Sequence, residues 1–143
     1  MLKTKLTEKA LQIATNAHQG QTDKAGQPYI HHPMYLAKQM ETEDEVCVAL
    51  LHDVVEDTDI TLDALIAEDF PISVTDAIAL LTHNDDTEYM DYIRKIKSNQ
   101  LAAKVKLADL RHNSDVSRLQ HVDDKAKQRL EKYSLAIAFL EEF

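Results

Sequence analysis

The chain contains few of the residues that interrupt helices. Its 143 residues include only two glycines, Gly20 and Gly26, and three prolines. Because glycine and proline are the strongest breakers of regular structure, their scarcity favours a chain that is helical almost throughout. The length and the 44% hydrophobic content suit one domain with its own core. We therefore predict an all-α helical bundle in which residues 1–143 form a single domain.

Cysteine and long apolar runs are also scarce. Cys47 is the single cysteine, which excludes an internal disulfide and gives no reason to expect an oxidising compartment. No apolar stretch approaches the roughly 20 residues needed to span a bilayer, and residues 1–5 show no apolar signal region. We expect a cytoplasmic protein that does not enter a membrane.

An excess of positive charge is absent as well. Acidic residues number 25 against 16 basic ones, and the formal net charge is −9. This charge repels nucleic acids and anionic membranes at long range, so neither is an expected partner. A small phosphorylated ligand remains compatible, because a metal ion and a few basic side chains can reverse the field inside one cleft. We expect a small-molecule ligand and a monomer or small homo-oligomer.

Apolar residues recur at helical spacing along most of the chain. The predicted helices cover residues 7–17, 33–40, 43–55, 61–69, 73–81, 89–99, 101–109 and 123–143, with a polar loop over residues 18–29. Thr7 is expected to cap the first helix, and Pro33 to open the second. Ser73 and Asp76 have the spacing of a capping box. The segment 43–55 is apolar almost all round, as in a central helix that its neighbours bury.

Charged groups lie inside and directly after this apolar segment. His52 and Asp53 interrupt it, and Glu56 and Asp57 follow within one turn. An imidazole and three carboxylates are costly to keep beside a buried core unless something compensates them. A divalent metal ion is the compensation that we expect.

Two further positions carry side chains able to bind a metal. His31 and His32 precede the second predicted helix, and Asp109 follows an apolar helical stripe. A helical bundle can bring such distant positions to one interior point. One or two imidazoles with two carboxylates suit six-coordinate Mn²⁺ or Fe²⁺ better than a closed structural zinc site. Open coordination positions indicate catalysis, in which Glu56 or Asp57 orients or deprotonates a water molecule.

Four short runs carry a resemblance to a known family. They are His-Gln-Gly-Gln at 18–21, Gly-Gln-Pro-Tyr-Ile-His-His-Pro at 26–33, Leu-His-Asp-Val-Val-Glu-Asp-Thr at 51–58 and Lys-Leu-Ala-Asp-Leu-Arg-His-Asn at 106–113. In this order the runs resemble the signature of HD-superfamily hydrolases of the RelA/SpoT type, and in particular the small alarmone hydrolases. The joint match of order, spacing and residue type is more specific than a His-Asp pair alone.

The resemblance implies a role for each matching position. The implied metal ligands are His32, His52, Asp53 and Asp109, and the implied ion is Mn²⁺, with Fe²⁺, Co²⁺ and Zn²⁺ as alternatives. Glu56 and Asp57 are implied to act on the attacking water, and Asn113 to contact the nucleotide sugar. The implied reaction removes the 3′-pyrophosphate of (p)ppGpp, giving GDP or GTP and pyrophosphate. No counterpart of the synthetase domain of longer relatives is recognised, so we do not expect synthesis.

One position departs from the family pattern. The family's loop carries an Arg-Lys pair whose arginine packs on guanine, whereas this chain has Asp23 and Lys24. Lys24 retains a basic side chain that can bind substrate, but the carboxylate of Asp23 would repel a polyphosphate. Two alternatives therefore remain open: a phosphohydrolase for another nucleotide, such as a nucleoside monophosphate or NADPH, and a non-catalytic nucleotide-binding regulatory module. The intact Glu56 and Asp57 argue against the second alternative.

The other histidines and basic residues have weaker contexts. His31 is expected on the surface or behind the ligands, and His18 at a helix C-terminus, where the dipole favours it. Structural or exposed positions are expected for His83, His112 and His121, although His112 can touch the site from beside Asn113. Further candidates for phosphate contacts, with solvated surface as the ordinary alternative, are Lys104, Lys106 and Arg111. Tyr89 and Tyr92 are expected in the core or an interface.

Overall fold

The computed structural model describes residues 1–115, 117 and 122–142. Within these ranges the chain forms nine α-helices and no strand. They are α1 Lys5–Ala17, α2 His31–Lys38, α3 Glu43–Leu51, α4 Val54–Asp57, α5 Leu62–Ala67, α6 Ile72–Leu81, α7 Tyr89–Lys97, α8 Gln100–Asn113 and α9 Asp124–Glu141. The all-α prediction is confirmed. None of the described helices combines the length and the apolar character that crossing a membrane requires.

Helix α3 lies at the centre of the bundle. The six residues from Val46 to Leu51 are completely buried, and α3 packs against α1, α2, α6 and α8. A helix with neighbours on every side requires apolar residues around its whole circumference. The predicted central helix is therefore present, and the elements that carry the site residues pack around it.

The central helix ends earlier than its apolar pattern predicted. Helix α3 stops at Leu51, and the short helix α4 begins at Val54, so that His52 and Asp53 lie at the junction. Nδ1 of His52 donates a hydrogen bond of 2.7 Å to the carbonyl oxygen of Ala49. A continuing helix would offer that carbonyl to the amide of Asp53. The junction therefore holds both polar side chains where two helices meet.

The first two helices start before their predicted first residues. Helix α1 is capped by Thr4, not by Thr7, so the predicted cap is wrong. Thr7 forms the other half of a capping box: its Oγ1 accepts a 2.8 Å hydrogen bond from the amide of Thr4, and Oγ1 of Thr4 accepts one of 3.1 Å from the amide of Thr7. Helix α2 begins at His31, and Pro33 lies in its first turn, where a missing N–H breaks no bond within the helix.

The capping box predicted at Ser73 and Asp76 is also wrong. Pro71 occupies the N-cap position of α6, and the hydroxyl of Ser73 donates a 2.7 Å hydrogen bond to Asp44 near the start of α3. A tertiary contact thus replaces the predicted local one. Helix α5, predicted over residues 61–69, is capped by Thr61, whose side chain accepts a hydrogen bond from the amide of Ala64.

Candidate active site

Four side chains converge between α2, the α3–α4 junction and α8. His32, His52, Asp53 and Asp109 each offer one ligand atom, and these atoms all lie within 4.8 Å of one another. Nε2 of His32 is 2.7 Å from Oδ1 of Asp109, and Nε2 of His52 is 3.0 Å from Oδ2 of Asp53 and 3.4 Å from Oδ1 of Asp109. Helices α2 and α8 meet here because both pack on α3. The structure therefore brings together the four residues expected to bind a metal.

The chemistry of this cluster fits a divalent cation. Because Nδ1 of His52 donates to a backbone carbonyl, the neutral ring presents the lone pair of Nε2 to the cluster. That Nε2 atom is buried and faces the carboxylate oxygens of Asp53 and Asp109, so a cation at this point would have nitrogen and oxygen donors together. Two imidazole nitrogens and two carboxylates form a mixed nitrogen and oxygen donor set for a divalent transition metal.

The electrostatics of the cluster also favour a positive charge. Burial alone would lower the pKa of His52, but Asp53 and Asp109 outweigh it and raise that pKa well above its usual value. Burial acts to raise the pKa of Asp109, yet Lys106 and the hydrogen bond to His32 hold it well below its usual range. Two buried carboxylates that remain ionised make this point attractive to a cation.

Neighbouring side chains fix both carboxylates in place. The hydroxyl of Tyr29 donates to Oδ2 of Asp53. Nδ2 of Asn113 donates to Oδ1 of Asp109 at 3.0 Å, and Nζ of Lys106 lies 3.0 Å from its Oδ2. Burial and the charge of Asp53 raise the pKa of Tyr29, so its phenol stays protonated and remains a donor. The carboxylates are thus oriented before any ligand arrives.

A cavity of about 470 Å³ opens over the cluster. Its walls come from the loop before α2, from α4, α8 and α9, and its floor includes His32, Asp53 and Asp109. The volume falls within the range of small-molecule sites, roughly 300–1,000 Å³. The charged lining residues comprise basic ones that can bind phosphate and a larger number of acidic ones, some of which lie beside the metal cluster. They include Lys24, Lys106 and Arg129, and Glu56 and Asp57.

Glu56 and Asp57 lie next to the metal cluster. A carboxylate oxygen of each is within 4.8 Å of one of Asp53. The amide of His83 donates a 2.5 Å hydrogen bond to Glu56, and Gln21 bonds the backbone carbonyl of Asp57 at 3.1 Å. Burial, followed by the charge of Asp53, raises the pKa of Asp57. Burial also raises the pKa of Glu56, because its effect is larger than the opposing effect of the hydrogen bond from His83. Carboxylates with raised pKa values in a cleft are suited to accept a proton.

The two expected substrate-binding residues line the cavity from different elements. Lys24 belongs to the loop before α2, and Asn113 to the last turn of α8. Burial and the charge of Arg129 lower the pKa of Lys24, and both side chains line the cavity. Asn113 also holds Asp109, so it links the cavity wall to the metal cluster.

Asp23 has a structural task that its sequence context did not reveal. Its Oδ1 accepts hydrogen bonds of 2.9 Å from the amides of both Ala25 and Gln27. Gly26, between these amides, has a φ of 83°, a conformation that favours glycine. Asp23 lines the cavity, but one of its oxygens is thus used to hold the turn that carries Lys24.

Helix α9 contributes residues to the cavity that the sequence analysis missed. The sequence predicts only a helix over residues 123–143, yet Ala126, Arg129, Leu130 and Tyr133 of this helix line the cavity. The available signal was Arg129, which interrupts an apolar face whose other members recur at three- and four-residue steps. Tyr29 lay in a recognised run without an assigned role.

The remaining histidines divide into several environments. His31 is exposed, whereas His18 is only 2% exposed, with Nδ1 2.9 Å from Oε1 of Gln21 and its ring centroid 4.8 Å from that of Tyr29. His112 contacts the candidate ligand His32. The prediction for His121 lies outside the described residues.

Two of the basic candidates do not line the cavity, and the two tyrosines are packed. Lys104 pairs with Glu45, and Arg111 with Glu141. Tyr92 is buried and partly buried Tyr89 packs against the core, as expected.

A comparison with protein families places the chain in one of them. The sequence profile of the HD domain matches residues 10–133, which include all the residues of the metal cluster. The chain belongs to the HD domain family. The pair His52-Asp53 at the α3–α4 junction therefore lies in an HD domain whose two other potential ligands are His32 in α2 and Asp109 in α8.

Several curated proteins are similar to this HD domain. Two of them carry the name guanosine-3′,5′-bis(diphosphate) 3′-pyrophosphohydrolase. The protein from Vibrio cholerae is 39% identical over 83 residues, which cover 55% of this chain. The protein from Haemophilus influenzae is 32% identical over 140 residues, which cover 87% of this chain. The bifunctional (p)ppGpp synthase/hydrolase SpoT of Escherichia coli is 30% identical over 148 residues, or 91% of this chain. The matched parts make up 12%, 20% and 21% of these relatives' own lengths.

A solved structure has the same fold. It is that of a metazoan ortholog of SpoT that hydrolyses ppGpp and plays a role in starvation responses. The TM-score is 0.79 at 21% sequence identity, and the match covers 98% of this chain and 87% of the other. The all-α bundle described above is therefore the fold of that protein.

Proposed function

We propose that the chain is a metal-dependent nucleotide phosphohydrolase that removes the 3′-pyrophosphate from (p)ppGpp. The observation that carries the proposal is the cluster of His32, His52, Asp53 and Asp109, three of which line a cavity that also contains Lys24, Lys106 and Arg129. The names of the similar proteins support the choice of substrate.

The four clustered residues would hold one divalent cation, and we propose Mn²⁺. When bound, the cation supplies Lewis-acid polarisation of a phosphoryl oxygen and makes water more acidic. The mixed donor set suits Mn²⁺, Fe²⁺ or Co²⁺, and a catalytic Zn²⁺ would also accept it. Tyr29, Lys106 and Asn113 keep the two carboxylates oriented toward the cation position.

Glu56 and Asp57 carry out the proton transfer in this proposal. Their carboxylates orient a water molecule and accept its proton while its oxygen forms a bond to the phosphorus next to the ribose 3′ oxygen. The bond between that phosphorus and the 3′ oxygen breaks, and the 3′ oxygen receives a proton. The products are a nucleoside 5′-diphosphate or 5′-triphosphate and pyrophosphate. The amide of His83 fixes the position of Glu56 for this step.

Three basic residues supply the charge that a polyphosphate requires. Lys106 lies beside the metal cluster, whereas Lys24 in the loop before α2 and Arg129 in α9 line the cavity from other elements. We assign Lys106 to the 3′-diphosphate that reacts, and Lys24 with Arg129 to the phosphates at the other end of the ligand. Charge-assisted bonds of this kind hold phosphate more strongly than neutral ones.

Asp23 favours a second candidate substrate of the same class. Its carboxylate lines the cavity where the related hydrolases carry an arginine that packs on guanine. A nucleotide whose base does not need that arginine, such as another nucleoside phosphate or NADPH, would fit this position. The carboxylates of Glu56 and Asp57 remain beside the cluster, which argues against a regulatory module without turnover.

A substrate screen tests the proposal. The purified chain with Mn²⁺ is incubated with ppGpp, pppGpp, GMP and NADPH, and pyrophosphate and orthophosphate are measured separately. We expect pyrophosphate and GDP from ppGpp, and no product after removal of the metal with EDTA. Release of orthophosphate alone, or activity confined to GMP or NADPH, would exclude the 3′-pyrophosphohydrolase assignment.

A further inference from the structure

His112 lies directly behind one of the candidate metal ligands. Nδ1 of His112 is 2.7 Å from Nδ1 of His32, on the side of that ring opposite to Asp109. The planes of the two rings are inclined by only 3°, with centroids 4.9 Å apart. This geometry is that of an N–H···N hydrogen bond between two imidazoles, in which one nitrogen donates and the other accepts.

Metal binding by His32 determines which of the two Nδ1 atoms donates the hydrogen bond. Nε2 of His32 is the atom that faces Asp109 in the cluster, and it must be unprotonated to bind a metal. A neutral imidazole then carries its single proton on Nδ1. Since Nδ1 of His32 faces Nδ1 of His112, the latter must be the acceptor when a cation is bound at Nε2.

The other histidine of the cluster shows the same arrangement with a different partner. Nδ1 of His52 donates to the backbone carbonyl of Ala49, a common way to fix the tautomer of a metal-binding histidine. His112 therefore does for His32 what a backbone carbonyl does for His52. Its own ring is held in place by Tyr35, whose ring stacks on it at a centroid distance of 4.0 Å and an angle of 13°.

We propose that His112 is a positioning residue for the metal site: its Nδ1 accepts the Nδ1 proton of His32 and so keeps Nε2 of His32 available for the cation. This inference rests on the metal binding proposed above, but not on the identity of the substrate. Loss of such a supporting hydrogen bond weakens metal affinity by about 10- to 100-fold in other proteins.

Substitutions that retain or remove the acceptor separate hydrogen bonding from packing. In His112→Asn, the side-chain oxygen stands where Nδ1 stood and can accept the same proton. In His112→Phe, an aromatic ring remains for Tyr35 to stack on, but the acceptor is gone. The control is His31→Phe, which removes an exposed imidazole from the same helix as His32.

The first measurement is Mn²⁺ affinity by calorimetry, with no substrate present. We expect His112→Phe to bind Mn²⁺ about 10- to 100-fold more weakly, His112→Asn to recover most of that loss, and His31→Phe to match the wild type. Equal losses in His112→Asn and His112→Phe would assign the effect to packing and overturn the proposal, as would unchanged affinity in His112→Phe. If the wild type itself bound no transition metal, the proposed metal site would fail, and not only the role of His112.

The second measurement needs no variant. In ¹⁵N-labelled wild-type protein loaded with diamagnetic Zn²⁺, NMR of the ring nitrogens identifies which of them carry protons. We expect a proton on Nδ1 of His32, none on Nδ1 of His112, and a ¹⁵N–¹⁵N coupling between these two atoms across the hydrogen bond. A proton on Nδ1 of His112 that is donated to His32 would reverse the direction of the bond and contradict the proposal.

Discussion

Nε2 of His32 lies 2.7 Å from Oδ1 of Asp109, although 77 positions separate the two residues in the chain. The other oxygen of Asp109 is 3.0 Å from Nζ of Lys106, and Asn113 shares Oδ1. Asp109 therefore contacts both His32 of α2 and Lys106 of α8, and it also lines the cavity. Substitution of His32, Lys106 or Asn113 should therefore alter the binding of the metal, the binding of the substrate, or both.

Asp53 and Glu56 should have separable effects on metal binding and turnover. Asp53→Ala removes one of the four clustered donors and should abolish both Mn²⁺ binding and hydrolysis. Glu56→Gln removes only a proton acceptor, so it should retain the metal and lower kcat by about 10²- to 10⁴-fold. Calorimetry with Mn²⁺ and single-substrate kinetics provide the two readouts. Equal loss of metal in both variants would make Glu56 a ligand and contradict its assigned role.

Lys106 should contribute more to substrate binding and turnover than a lysine outside the cavity does. With saturating Mn²⁺, Lys106→Gln should lower kcat/KM for ppGpp by about 10- to 100-fold, since a hydrogen bond to a charged group contributes about 1.5–3 kcal/mol. Inhibition by inorganic pyrophosphate should weaken in parallel. Lys104→Gln, a change on the same helix outside the cavity lining, is the matched control. Equal behaviour of the two variants would remove Lys106 from the phosphate site.

Asp23 should contribute to the stability of the loop before α2. Asp23→Ala removes the acceptor for two backbone amides and should lower the free energy of unfolding by about 1 kcal/mol. Asp23→Asn keeps a side-chain oxygen and should be close to the wild type. Urea denaturation measures both values. A fully stable Asp23→Ala variant would show that the turn does not depend on this side chain.

Glu45 should make the stability of the protein depend on pH. Its Oε1 accepts hydrogen bonds from the amides of Glu41 and Thr42 and from Lys104. Burial acts to raise its pKa, but these contacts outweigh burial and lower it from 4.5. Because the folded pKa is depressed, the stabilisation is complete above the unfolded pKa and is lost as the pH falls through the folded value.

The test of Glu45 compares two variants across that pH range. At pH 7, Glu45→Ala should lower the free energy of unfolding by about 1 kcal/mol. The reason is that Glu45 forms a capping box with Thr42 at the start of α3. The difference from the wild type should shrink as the pH falls below about 4.5. Glu43→Ala removes the same charge from the same first turn without touching the cap. A pH-independent difference would exclude the carboxylate as its source.

The fold class and the central helix were predictable because they depend on features that a sequence displays directly. Scarce breakers and helical spacing indicate an all-α bundle, and the continuous apolar segment indicates burial on every side. The helix start at Thr4 and the break at His52 were not predictable in this way. Both depend on side chains that compete for backbone hydrogen bonds, and the sequence equally allowed a cap at Thr7 and a helix that continues to Val55.

The candidate site was predictable where motifs fix the chemistry, and less so where tertiary packing does. His52, Asp53 and Asp109 could be named from residue type and order, and they do lie together in the bundle. Arg129 interrupts an apolar face of α9, but this signal does not give its location, because only the docking of α9 places it on the cavity wall. Asp23 was interpreted by its charge alone, since hydrogen bonds to the amides of its own turn leave no periodic signal.

We propose above that this HD domain uses a metal held by His32, His52, Asp53 and Asp109 to release pyrophosphate from ppGpp. The most direct test is a time course of ppGpp with the metal-free chain, before and after addition of Mn²⁺, that separates GDP, pyrophosphate and orthophosphate. We predict GDP and pyrophosphate in equal amounts, only after Mn²⁺ is added, and no products with Asp53→Ala. Turnover that is unaffected by metal removal, or orthophosphate as the only released phosphate, would contradict the claim.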